Sequence, residues 1–172
     1  NLTTTQVAGL ETTAISDLTT TQVGTLAATQ VPALTTEQIG SLTSTEIQAF
    51  TTTQAGTLTV AQLGNLTTTT LNKFSAAQFG ALTTTQAQSL TTTDLNALTV
   101  ANLDAVDLTK LSTPQVIGLD TTAIGNLTTT QVGTLLAAQV AALATEDRRT
   151  PRLTSIHTCK TSKPNSPTKT QL

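Results

Sequence analysis

A large apolar residue recurs every eight positions, and no other feature limits the possible fold so strongly. Leu2, Leu10, Leu18, Leu26, Leu34 and Leu42 are followed in register by Phe50, Leu58, Leu66, Phe74, Leu82, Leu90, Leu98 and Val106. The phase then slips by three residues between Val106 and Leu111, and resumes at Leu119, Leu127, Leu135 and Leu143. Numbering the unit from this residue, the consensus is L-T-T-T-Q-V-G-x, as in Leu18–Thr25. A second aliphatic residue holds the sixth place, for example Val7, Ile15, Val23, Ile39, Ile47, Leu63, Leu95, Val116 and Val132, with Ala55 and Ala87 as weak members. Seven of the nine glycines fall at the seventh place, which suits a helix end or a close approach of backbones. A fixed short period of this kind is the signature of a repeat architecture and not of an ordinary domain.

The unit carries two helix-start signals at once. Thr at the second place is positioned to accept from a backbone N–H two or three residues on. Gln at the fifth place is then positioned to reach back to the cap N–H, completing a capping box. The aliphatics at places one and six form the accompanying hydrophobic staple. Thr35 with Gln38, stapled by Leu34 and Ile39, is the clearest copy, and Thr43 with Glu46, stapled by Leu42 and Ile47, is another. Ser112 and Asp120 are good caps in place of Thr. Pro32 at the seventh place argues against a helix running deep into that position, whereas Pro114 at the fourth lies in the first turn. The predicted fold is therefore all-α: a solenoid of very short helices, one per eight-residue repeat, with Leu and Val inward and Thr outward. The alternative is a β-solenoid, which Thr and Val favour by propensity. It would need a corner inside every unit, because the odd spacing of the two aliphatics puts them on opposite faces of a continuous strand. One unit cannot fold alone, since ordering eight backbones costs more than burying two aliphatics returns. Stacked neighbours have to close the gap.

The repeat occupies residues 1–145, and the slip near 106–111 is read as a local irregularity with unusual charge, from Asp104, Asp107 and Lys110, and not as a boundary. Gly9–Leu34 and Gly118–Leu143 are identical at 20 of 26 positions, which reads as segmental duplication. The chain starts in mid-pattern at Asn1, so it is expected to be a slice of a larger array. Residues 146–172 lose the pattern and hold six of the eight basic residues and three of the five prolines, so a largely disordered tail is expected there.

Composition excludes most chemistry. The chain has 45 Thr among 172 residues, but only one His and one Cys. His157 and Cys159 sit together in the tail without a third partner, which makes neither a metal site nor a nucleophile. Runs such as Thr67–Thr70 supply hydroxyls without an activating base. No catalytic, cofactor or metal site is expected, and the chain reads as a non-enzyme. The repeats are acidic and lack interleaved aromatics, so nucleic acid is not an expected partner. No apolar run is long enough to span a bilayer, so no membrane insertion is expected. A protein or surface ligand along the repeat face is the partner class left open.

The L-T-T-x-Q-V-x-x string, carried by copies such as Leu18–Thr25, Leu34–Ser41 and Leu127–Thr134, resembles the Thr-rich octapeptide tracts of very large bacterial exported or surface proteins described as adhesin-like or haem-utilisation-like. The likeness spans about residues 2–144. It implies an extracellular or cell-surface spacer or display region, while the repeats hold no His, Met, Cys or Tyr to ligate haem. A competing expectation is a ligand-binding module that uses the Thr-rich face, for example on ice. Ala27, Ala28, Ala76 and Ala77 interrupt the Thr array and weigh against it.

Overall fold

The structure, a computed structural model, describes residues 2–147. Among them are sixteen short α-helices and no strand. The helical reading of the octapeptide therefore holds, and the β-solenoid does not form. Fifteen of the helices are four to six residues long, and each lies within one unit. Eleven of the helices close both halves of the capping box. In the Thr35 copy, the Gln38 N–H donates to Thr35 Oγ1 at 3.1 Å and the Thr35 N–H donates to Gln38 Oε1 at 2.8 Å. Ser112 and Asp120 cap as expected, accepting from Gln115 and Ala123. Where the cap residue is Ala27 or Leu136, the Gln half of the box survives: their N–H groups donate to Gln30 and Gln139.

Two units depart from one α-helix per repeat. The Leu26 unit, with Ala27 at the cap place and Pro32 at the seventh, forms a turn and the 3-10 helix Val31–Ala33. The slipped unit forms the 3-10 helix Leu108–Lys110. There Val106 keeps the first place, Asp107 the cap, and the buried Leu108 takes over the sixth. The three missing residues are thus places three to five, about one helical turn.

The chain leaves several of its helices through the next first-place residue in extended conformation, as at Leu42 (φ −66°, ψ 143°) and Leu66 (φ −68°, ψ 145°). The following cap residue is extended too, so two residues make the corner. No described residue has positive φ, so the seventh-place glycines do not serve as left-handed caps. Close approach is the use of some of them: a Cβ on Gly24 would stand 3.2 Å from the Ala49 carbonyl oxygen of the next coil and one on Gly64 3.3 Å from that of Ser89, whereas Gly125 and Gly133 have nothing within 4 Å.

Three units complete one coil. Helix Thr84–Ser89 packs on Val60–Asn65, Val100–Ala105 on Ala76–Gly80, and Thr113–Ile117 on Ala137–Asp147, each pair starting 24 residues apart. Residues 2–142 make six coils, all of 24 residues except 98–118, which the slip shortens to 21. Three rows of helices therefore run along the solenoid. Units starting at Leu2, Leu26, Phe50, Phe74, Leu98 and Leu119 form row one. Those at Leu10, Leu34, Leu58, Leu82, Val106 and Leu127 form row two, and those at Leu18, Leu42, Leu66, Leu90, Leu111 and Leu135 row three. First- and sixth-place side chains from all rows merge into one core that continues through the slip. Residues 146 and 147 finish the last helix, while the rest of the expected tail, including His157 and Cys159, lies outside the described residues.

Candidate functional site

Each short helix leaves orphan N–H groups at its start and orphan carbonyls at its end. The fifth-place Gln serves both. In the Phe74 unit, Gln78 Oε1 accepts the Ser75 N–H at 2.8 Å, while its Nε2 donates to the carbonyls of Ile47 at 2.8 Å and Phe50 at 2.7 Å. Those carbonyls belong to the corner one coil below. The same strap runs from Gln38 to Val7 and Leu10, from Gln62 to Val31 and Leu34, and from Gln86 to Ala55 and Leu58. It recurs beyond the slip, from Gln115 to Ala87 and Leu90, from Gln131 to Leu103 and Val106, and from Gln139 to Leu108 and Leu111. These amides are buried and fully used, as a buried polar group must be to avoid a cost of about 1–3 kcal/mol. Sequence reasoning found the capping half of this residue and missed the strap. The available signal was the preference for Gln over Glu at the fifth place: eleven Gln against one Glu, although either can cap. Only the amide can donate.

Lysine takes over where the amide is missing. The slipped unit lacks a fifth place, and Lys110 Nζ donates to the Leu82 carbonyl at 2.7 Å, the oxygen a Gln would have reached. In the Leu66 unit Thr70 stands in for Gln, and Lys73 Nζ donates to Gly40 and Leu42 at 2.9 and 2.6 Å. Lys73 and Lys110 are the only basic residues before position 148. Both are structural straps.

Residues 60–92 match the family model of the ALTTAQ repeat. That ALTTAQ stretch contains the straps of Gln62, Gln78 and Gln86 and the Lys73 replacement. No curated protein and no solved structure matches the chain.

Row three differs from the other two. Its middle fifth places are Glu46, Thr70 and Asp94: Glu46 and Asp94 accept from their cap N–H groups, Thr70 meets the Thr67 hydroxyl, and none sends a donor to the coil below. Instead its seventh-place amides reach forward to the next coil. Gln48 donates to the Lys73 carbonyl. Asn72 donates to Ala97 and accepts from the Thr99 N–H, and Asn96 does the same with Gly118 and Asp120.

The three rows also sort the outward residues. The alanine pairs Ala27–Ala28 and Ala76–Ala77, which interrupt the Thr array, fall in row one. Row two is broken by Glu11, Glu37, Val60 and Ala61. In row three, places two to four read Thr19–Thr21, Thr43–Thr45 with Ser44 between, Thr67–Thr69 and Thr91–Thr93 in the first four coils, and the run is then broken by Pro114 and by Leu136, Ala137 and Ala138. These residues are exposed or half-exposed. Two carboxyls are held below the usual range: Asp107 by the Thr109 hydroxyl and backbone N–H and by Lys110, and the exposed Glu37 by its own backbone N–H and the Thr35 hydroxyl. Among the described residues no three His, Cys, Asp or Glu side chains cluster as metal ligands, and no helix is long and apolar enough to cross a membrane.

Proposed function

We propose that the chain is a non-enzymatic scaffold, an extracellular spacer or display segment of a larger bacterial surface or secreted protein. The observation that carries this reading is the sameness of the coils. Each one repeats the same core, the same corner and an equivalent strap, so coil number sets length. At about 8–10 Å between packed helices, six coils span roughly 50 Å. The outward residues are short, mostly uncharged hydroxyls, which suits a solvated rod. The repeat up to residue 145 carries eight acids against two lysines, and both lysines are engaged inside the fold, which speaks against a nucleic-acid partner. Duplicating residues 50–73 tests the reading by small-angle scattering. The maximum dimension is expected to grow by about 8–10 Å at constant cross-section. Growth in cross-section, or none in length, contradicts a rod.

A second reading is a ligand-binding module that uses a hydroxyl-bearing face, with ice as its sharpest form. The row-three face of the first four coils favours it, because Thr or Ser fills places two to four there and Ala27, Ala28, Ala76 and Ala77 lie on another row. A thermal-hysteresis assay separates the two readings: freezing-point depression beyond the colligative value, lost in Thr68→Lys, supports ice binding, and its absence leaves the scaffold.

A further inference from the structure

We propose that the buried corner between Asp94 and the carbonyls of Leu63 and Leu66 binds a hard, calcium-sized cation, which ties two coils together where other corners use a side-chain donor. This inference rests on the strap geometry and does not depend on the spacer reading.

The straps supply the comparison. Among the described residues, twelve first-place carbonyls accept an N–H from a side chain of the coil above. Three that have a coil above them, those of Leu18, Leu66 and Leu98, accept none. By the register of the straps, the residues set over them are Glu46, Asp94 and Ala123. Of the two acids, Asp94 is only 7% exposed, whereas Glu46 is half-buried and shares its charge with solvent. Helix Thr92–Ala97 packs on Thr68–Leu71, which sets the Asp94 carboxyl over the Leu63–Leu66 corner. Its Oδ2 accepts from the Thr91 N–H at 2.9 Å and from the Thr91 hydroxyl at 2.6 Å, while its Oδ1 meets no donor among the described residues.

A carboxylate over carbonyls sets acceptor against acceptor. A buried charge is ordinarily paired with an opposite charge or coordinates a metal. No basic side chain pairs with Asp94: Lys73 and Lys110 are the only basic residues before position 148, and both donate to other corners. Those two lysines show what such a corner accepts. One coil below in the same row, the Lys73 ammonium lies on the carbonyls of Gly40 and Leu42, so a row-three corner already holds a positive charge on backbone oxygens.

The spacing suits an ion. Gln86 brings its Nε2 to 2.7 Å from the Leu58 oxygen. Asp is one methylene shorter, a bond of about 1.5 Å, so with Oδ2 kept at the cap Oδ1 stands roughly 4 Å from the Leu66 oxygen. A cation with oxygen ligands at about 2.3–2.6 Å, as calcium takes, bridges two oxygens so spaced. Asn102 has the length of Asp and reaches the Phe74 oxygen at 3.1 Å, but its cap N–H, that of Thr99, is taken by Asn72, which leaves Asn102 free to move down.

The test is a CaCl2 titration of the isotope-labelled 172-residue chain, followed by NMR in tetramethylammonium chloride at constant ionic strength. Saturable amide shifts are expected in residues 63–67 and 91–95, with a midpoint on the order of 1 mM, as in sites with few charged ligands. The thermal midpoint is expected to rise over the same range. Asp94→Asn, which keeps its cap acceptor, is expected to lose the response, and Asp94→Gln, which supplies the strap directly, to lose it while melting no lower than the calcium-free wild type. Glu46→Gln is expected to leave the response at 63–67 unchanged. Signals in both segments that stay still up to tens of millimolar calcium overturn the proposal and leave water in the corner. So do shifts that survive Asp94→Asn, or that are shared equally by the exposed carboxylates.

Discussion

Rows one and two of the solenoid and row three face the same problem and meet it differently. In every row, one-turn helices end in carbonyls buried at a corner. Rows one and two answer almost entirely from the fifth place, with an amide that caps its own helix and donates to the coil below. In the middle of row three the fifth place sends no donor to the coil below, and the ties come from Lys73 and from the seventh-place amides Gln48, Asn72 and Asn96. The difference separates the two jobs of the fifth-place side chain. An acceptor suffices for the cap, so Glu46 and Asp94 are tolerated there. A donor is required only where no other group supplies it.

The comparison breaks most visibly at Gln78. Gln78→Glu keeps the acceptor but sets a buried carboxylate against the Ile47 and Phe50 carbonyls, and is expected to cost about 3 kcal/mol or more. Glu46→Gln, at the equivalent place in row three, is expected to change stability by less than about 0.5 kcal/mol. Urea melts of the two variants measure both, and equal effects would erase the distinction between rows.

Next comes the lysine. Lys73→Ala leaves the Gly40 and Leu42 carbonyls without their charged donor and is expected to cost about 2 kcal/mol. Adding Thr70→Gln restores the ordinary strap and is expected to recover most of the loss, as a positive coupling in a double-mutant cycle. Simple additivity would mean that lysine and amide do not share a role.

Much of this fold is legible in the octapeptide, because its signals are local. The cap, the capping box and the staple lie within six residues of one another, and Thr35, Gln38, Leu34 and Ile39 take the predicted positions. The coil of three units is not legible in the same way, because no single unit encodes how sharply its corner turns. Without the 24-residue period, Gln38 reads only as a cap, Lys73 and Lys110 read as surface charges, and the alanines seem scattered through the Thr array. Given the period, the same residues sort into rows with separate duties. Of the two uses read for the seventh-place glycine, a helix end or a close approach, Gly24 shows the close approach to the neighbouring coil, and no left-handed cap forms because the extended first-place residue already makes the turn.

Smaller effects sharpen the contrast further. Asp94 is buried in row three and directs no donor at the coil below, whereas Asn102 in row one donates to the Phe74 carbonyl at 3.1 Å. Asp94→Asn keeps the cap acceptor, adds a donor, and is expected to stabilise by about 1 kcal/mol in thermal melts. A loss of stability would show that row three cannot use a downward strap at that corner.

The slip gives the smallest expected effect. Asp107 has its folded pKa lowered by the Thr109 hydroxyl and N–H, so its contribution is present above the ordinary aspartate value of about 3.9 and is lost as pH falls through the lowered folded value. The group is exposed, so the contribution is at most about 0.5 kcal/mol. Between about pH 5 and pH 2.5 the wild type should lose slightly more stability than Asp107→Asn, which lacks this titration. An identical acid response in the two proteins would remove Asp107 from the account.

The central claim is that a buried side-chain amide ties each coil to the one before it. Hydrogen exchange of the Gln side-chain amide protons, followed by NMR, tests it most directly. The Nε2 protons of Gln62, Gln78 and Gln86 should exchange slowly, with protection like that of core backbone amides, while those of Gln6 and Gln22 exchange like free amides. Free-amide exchange at Gln62, Gln78 and Gln86 in the folded protein would contradict the strap.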